Sequence, residues 1–174
     1  MANHFNRLAY ALGKGGFVRL LFKSSVSATT MNLVVLPHAV CAVECDPNLE
    51  DMTEGDSYGR YFATTLEMNS IRIDLRRRQD PVSLDALGIR GISFVDAVFV
   101  DIGTTGYGDL FWHMAVGPYS RGQPQLQKID EGFSLMGGSR VGSGIALPSY
   151  MQASGTVPLL TGYVRTGISV PSGL

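Results

Sequence analysis

Short runs of β-branched and apolar residues, each stopped by glycine or proline within about a dozen positions, constrain this chain more than any other feature. Residues 26–36 (VSATTMNLVVL) run into Pro37. Residues 38–45 predict a second strand that ends in an acidic loop. Ser70 to Leu75 alternates most cleanly: Ile71, Ile73 and Leu75 share one face, while Arg72 and Asp74 share the other. That spacing suits a strand with one wet face. Residues 60–68 precede it so closely that the two can be one long, bent strand. Residues 92–102 (ISFVDAVFVDI) predict a central strand, interrupted only by Asp96 and Asp101. Thr104 to Asp109 is its turn and residues 110–116 its returning partner, the strongest hairpin signal in the chain. Residues 157–170 alternate again and close the domain.

These runs predict an all-β fold: an antiparallel β-sandwich or jelly roll of about eight strands. Helical spacing is confined to residues 3–12, with Asn3 as cap, and residues 80–90, with Asp80 as cap and Pro81 at the first position. Gly13, Gly15 and Gly16 break the first of these. Residues 1–25 are therefore expected to be an N-terminal arm or edge element, and residues 26–174 the β-sandwich domain. Glycine-rich stretches after Gly117, among them MGGSRVGSG, are expected to be loops.

A chain of 174 residues can bury one core without disulfides or metals. Charged residues make up only 17%, below the quarter or so usual in soluble domains. Two readings fit: part of the surface is covered by copies or neighbours, or the chain is a compact monomer with a Ser/Thr/Gly-rich skin. The net charge of −1 implies no bulk attraction to nucleic acid. Its distribution is uneven. Met1 to Val43 contains no acid, while Glu44 to Asp56 contains six acids and no base. The bases Arg7, Lys14, Arg19 and Lys23 form the candidate contact for a polyanion or an anionic lipid. No run approaches the roughly 20 apolar residues of a membrane-spanning helix, and the N-terminus lacks a secretory pattern.

Residues that could carry chemistry fall into weak constellations. His38, Cys41 and Cys45 spell H-x-x-C-x-x-x-C. A tetrahedral metal would need a fourth ligand from His113 or His4, and no second close pair exists. Four residues apart on a strand, the two cysteines would stand about 13 Å from each other, too far for a disulfide. Buried thiols are the expectation, and no metal or cofactor. Gly142-Ser143-Gly144 lacks the strand-to-helix setting of a nucleophile elbow. Neither Gly13–Gly16 nor Gly137–Arg140 has the spacing of a phosphate loop. The acids of Glu44–Asp56 lack calcium-loop spacing, and Arg76, Arg77 and Arg78 lack interleaved aromatics. An enzyme would have to use His113 with Asp109 or Asp96; the expectation is that the chain is not an enzyme.

The basic, glycine-hinged N-terminus (Arg7 to Lys23), the short strands from Val26 to Val170 and the Gly/Pro/Ser-rich loops such as Gly117 to Pro124 together resemble small viral capsid proteins with a single jelly roll. The size is similar to that of the small major capsid proteins of tailless icosahedral double-stranded DNA phages. The resemblance is architectural and rests on no diagnostic motif. It implies two packed four-stranded sheets, location in the virion, and assembly of an icosahedral shell through contacts with copies of the same chain and with a second capsid protein. It transfers no catalytic residue and no small-molecule substrate. Genome or internal lipid would meet the N-terminal arm. Trp112, Phe111, Tyr107 and Tyr119 are candidate anchors, Trp112 also suiting the core. The alternative reading is a β-sandwich that binds carbohydrate or a protein partner.

Overall fold

The computed structural model describes residues 16–37, 40–51, 62–77, 91–102, 106–122, 129–155 and 163–174. Nine strands follow in order: β1 (Phe17–Lys23), β2 (Thr30–Pro37), β3 (Val40–Asp51), β4 (Phe62–Arg77), β5 (Phe94–Asp101), β6 (Tyr107–Gly122), β7 (Ile129–Met136), β8 (Ser139–Ala146) and β9 (Tyr163–Ser169). A 3-10 turn, Ser149–Met151, follows β8. Every pairing is antiparallel. The strands run β3-β4-β7-β6-β5-β1-β2-β9, with β8 also paired to β6. The all-β antiparallel class expected from the sequence is the observed one.

The path is creased, and the crease makes two layers. Along a regular strand, residues on one face are spaced by two. Phe111 and Met114 break that rule, since both join one apolar cluster while Leu110 and Trp112 join another. The neighbouring strand slips in the same way: Val95 and Val98 enter the first cluster, Ala97 and Phe99 the second. His113 sits at the slip with a φ of 56°. On the other side of β6, β7 and β8 lie end to end, Met136 opposite Ala115 and Ser139 opposite Trp112. The two residues between them, Gly137 and Gly138, each have a φ of 73°. The Gly137 N–H donates to the Asn69 carbonyl at 2.8 Å, and the Asn69 Nδ2 donates to the Gly138 carbonyl at 3.2 Å. The crease thus crosses four adjacent strands at Asn69, Gly137–Gly138, His113 and Asp96. Bulged strands that pass from one sheet to the next are the usual means of turning such a corner.

On one side of the crease lies a layer of β3, β4, β7 and the second half of β6. On the other lie β8, the first half of β6, β5, β1, β2 and β9. The resemblance implied two separate four-stranded sheets; here the layers are unequal and share β6. The inner cluster takes Ile71, Ile73, Phe133 and Leu135 from the smaller layer and Val18, Leu20, Val34 and Val98 from the larger. The larger layer is apolar on its outer face too. There Leu21, Leu33, Val35, Phe99 and Leu110 are buried with Met151 of the 3-10 turn, and Tyr150, Leu147, Tyr163 and Leu174 pack against them.

Several segments differ from expectation, each for a physical reason. Residues 17–23, expected within an arm or edge element, form the central strand β1, held between β5 and β2. Both faces of β1 are buried, so apart from Arg19 and Lys23 its sequence is apolar rather than alternating. The chain from Glu44 to Asp51 is not a loop but the rest of β3. Cys41, Val43 and Cys45 pack on the inner cluster, while Glu44 and Asp46 are exposed. Pro47 is tolerated because β3 ends the strand path. Gly117–Gly122 continues β6 through a register shift, and the expected loop at residues 139–146 is β8. Of the expected strands at 60–68 and 70–75, residues 62–68 and 70–75 meet in the single long strand β4, while residues 60 and 61 lie outside the described residues. The helical expectations for residues 3–12 and 80–90 lie outside the described residues.

Candidate functional site

The outer faces of the two layers are unlike. The larger layer is roofed by the 3-10 turn and the C-terminal segment. Among the described residues, none covers the outer face of the smaller layer. Directly paired residues project from the same face of a sheet, and one such row crosses the layer: Glu44, Ser70, Met136, Ala115 and Phe94. Met136 is 46% exposed, and Met68, one step along β4, is 66% exposed. The ground between the large residues is low. A Cβ at Gly117 would meet Ser134 Oγ and Met136 Cε, and one at Gly132 would meet Asp74 Oδ1. A shallow depression of about 390 Å³ follows, lined by Arg72, Asp74, Pro118, Ser120, Gly132 and Ser134. Arg72 and Asp74 pair there at 3.4 Å in solvent, a contact of little energetic weight. Exposed methionines over small residues, with Glu44 and Asp46 alongside, form a surface suited to contact.

At the Phe94 end of that row lies a second groove, of about 360 Å³ and open to solvent. It is lined by the β1–β2 turn (Ser24, Ser25, Val26), Lys23, and the start of β5 (Ser93, Phe94, Asp96). Phe94 is 65% exposed and Val26 fully so. The Lys23 N–H donates to Asp96 Oδ2 at 3.0 Å, tying the two walls together.

Arg7 and Lys14 lie outside the described residues. Arg19 is buried, its Nη2 2.9 Å from Asp101 Oδ2, with side chains 9% and 5% exposed. Its guanidinium lies 5.8 Å from the Phe17 ring centroid. Arg19 is committed inside the fold, which removes it from any polyanion or lipid contact; the cause is β1's central place. Burial raises the Asp101 carboxyl above its ordinary pKa, against the opposing pull of Arg19 and the Phe17 N–H. Lys23 is half-buried at the groove.

Of the sulfur and histidine constellation, only Cys41, Cys45 and His113 are described. His4 and His38 lie outside the described residues. Cys41 and Cys45 form no disulfide, and burial pushes the Cys41 thiol up to about 11. Among the described residues, no three His, Cys, Asp or Glu side chains are placed to share a metal. His113 is exposed at the crease. Asp109, its supposed helper, accepts from the Gly144 N–H at 3.3 Å and lies 3.8 Å from Arg140; Asp96, the other, accepts from the Lys23 N–H. Of the anchor candidates, Phe111 is buried, Trp112 and Tyr119 are half-buried, and Tyr107 is 53% exposed. Arg76 and Arg77 belong to β4; Arg78 lies outside the described residues.

Sequence reasoning noted that Asp96 and Asp101 interrupt an apolar strand, which is the visible trace of both polar contacts. It missed Phe94, Met68 and Met136, because an apolar residue in a strand gives no sign of which layer lacks a roof. No family model matches the chain, and no curated protein matches it. Among solved structures, the chain is similar to one in the cryo-EM structure of the anti-feeding prophage baseplate, 6-fold symmetrised, with a TM-score of 0.46 and 11% identity over 75% of this chain and 95% of that one.

Proposed function

We propose that this chain is a structural subunit of an icosahedral virus shell, residing in the virion and acting through contact rather than catalysis. The observation that carries the reading is the outer face of the smaller layer. Among the described residues, one outer face is roofed by the chain itself, while the other presents Met68 and Met136 to water over a floor of Ala, Gly and Ser. Exposed apolar ground on a folded protein marks a contact, and methionine adapts its shape to a partner. The occupant would be a neighbouring copy or a second capsid protein. Glu44 and Asp46 at the margin would select a neighbour carrying positive charge. Arg7 and Lys14 remain the bases with which the N-terminal segment would meet genome or lipid.

Light scattering after size-exclusion chromatography, followed by electron microscopy, tests this reading. Assemblies are expected, and Met68→Lys with Met136→Lys is expected to dissolve them while leaving the circular dichroism spectrum unchanged. A monomer that assembles neither alone nor with a partner capsid protein would overturn it.

A further inference from the structure

We propose that the groove between the β1–β2 turn and the start of β5 binds carbohydrate. Its parts match the two-sided chemistry of a sugar ring. One face of a pyranose is a patch of C–H groups, and the negative face of an aromatic ring attracts it. Phe94 supplies such a ring at the groove wall, 65% exposed, where an apolar side chain of that size has no structural work. The sugar edge is a ring of hydroxyls, which donate and accept. Asp96 offers a carboxylate whose bond from the Lys23 N–H fixes its position and uses one of about four acceptor sites. Hydrogen bonds to an ionised carboxylate are the strong kind. Lys23 adds donors, and the Ser24, Ser25 and Ser93 hydroxyls add groups that can do either.

The shape agrees. At about 360 Å³ the groove falls at the low end of small-ligand clefts, about 300–1,000 Å³. It is open rather than enclosed, as suits a ligand that keeps several hydroxyls in water. Both walls are anchored, since β1 and β5 pair directly and the Lys23–Asp96 bond closes the gap between turn and strand. The site is largely formed before a ligand arrives, which limits the ordering cost of binding.

Saturation-transfer difference NMR reports sugar binding to a monomer or an assembly alike, so its result is separable from the shell reading. The probes are D-glucose, D-galactose, D-mannose, N-acetylglucosamine and lactose at millimolar concentration. At least one is expected to receive saturation at ring C–H protons, with a Kd of roughly 0.1–10 mM. Phe94→Ala should weaken that binding roughly tenfold. Phe94→Tyr should keep it, and Asp96→Asn, which can still accept the Lys23 N–H, should weaken it. Because Phe94 is exposed and Asp96→Asn keeps an acceptor for the Lys23 N–H, all three variants should melt close to the parent. Absence of transfer to every probe would overturn the proposal, as would transfer that Phe94→Ala leaves unchanged.

Discussion

Removing the buried Arg19–Asp101 pair altogether should not weaken the protein, whereas removing half of it should. At 2.9 Å and an effective dielectric of about 20, Coulomb attraction supplies about 6 kcal/mol. Against this stands a desolvation cost of several kcal/mol for each ion. Both side chains are under a tenth exposed, so solvent relieves little of it. Arg19 Nε and Asp101 Oδ1 are also buried without protein partners, each costing roughly 1–3 kcal/mol. The terms nearly cancel. The raised Asp101 pKa tells the same story, since burial outweighs the nearby guanidinium. A carboxyl raised on folding binds its proton more tightly in the folded state. Its contribution to stability is therefore full below the unfolded pKa and is lost as pH rises through the folded value.

Asp101→Leu should destabilise by about 3–5 kcal/mol at neutral pH, because it strands a buried guanidinium. Arg19→Met with Asp101→Leu should be neutral or up to about 4 kcal/mol more stable, the site being lined by Phe17 and Leu21. Urea denaturation read by Trp112, the only tryptophan, measures all corners of the cycle. A double variant weaker than the parent by more than about 2 kcal/mol would refute the cancellation argument. A harmless Asp101→Leu would refute the burial.

His113 is the described non-glycine residue with positive φ, so His113→Val should cost about 1–3 kcal/mol while His113→Gly stays near neutral; chemical denaturation distinguishes the two. At Gly138 a Cβ would collide with the Trp112 carbonyl oxygen, and φ is also positive. Gly138→Ala should therefore cost roughly 2 kcal/mol or more and lower the melting temperature. With its thiol pKa near 11, raised from 9.0, Cys41 should alkylate slowly at pH 8 and speed up only in strong alkali. Its contribution to stability is present below the unfolded pKa and should fade between about pH 9 and 11, as thermal melts across that window would record.

Local pattern by itself determined the strand class and much of the pairing. Ile71, Arg72, Ile73 and Asp74 alternate because β4 has one wet face, and the β5–β6 hairpin follows from two apolar runs around a glycine turn. Asp96 and Asp101 stood out because charge inside an apolar run needs a partner. Tertiary structure decided what pattern cannot encode. Residues 17–23 became a central strand because β5 and β2 pair along its edges while its two faces enter two different apolar clusters built from distant segments. The crease arises where positive φ at His113, Gly137 and Gly138 coincides across neighbouring strands, and that coincidence is a matter of register between distant segments. Beyond the crease no described residue covers the smaller layer, and Met68, Met136 and Phe94 meet water. Burial is a property of what packs above a residue, and in a β protein that neighbour comes from far along the chain.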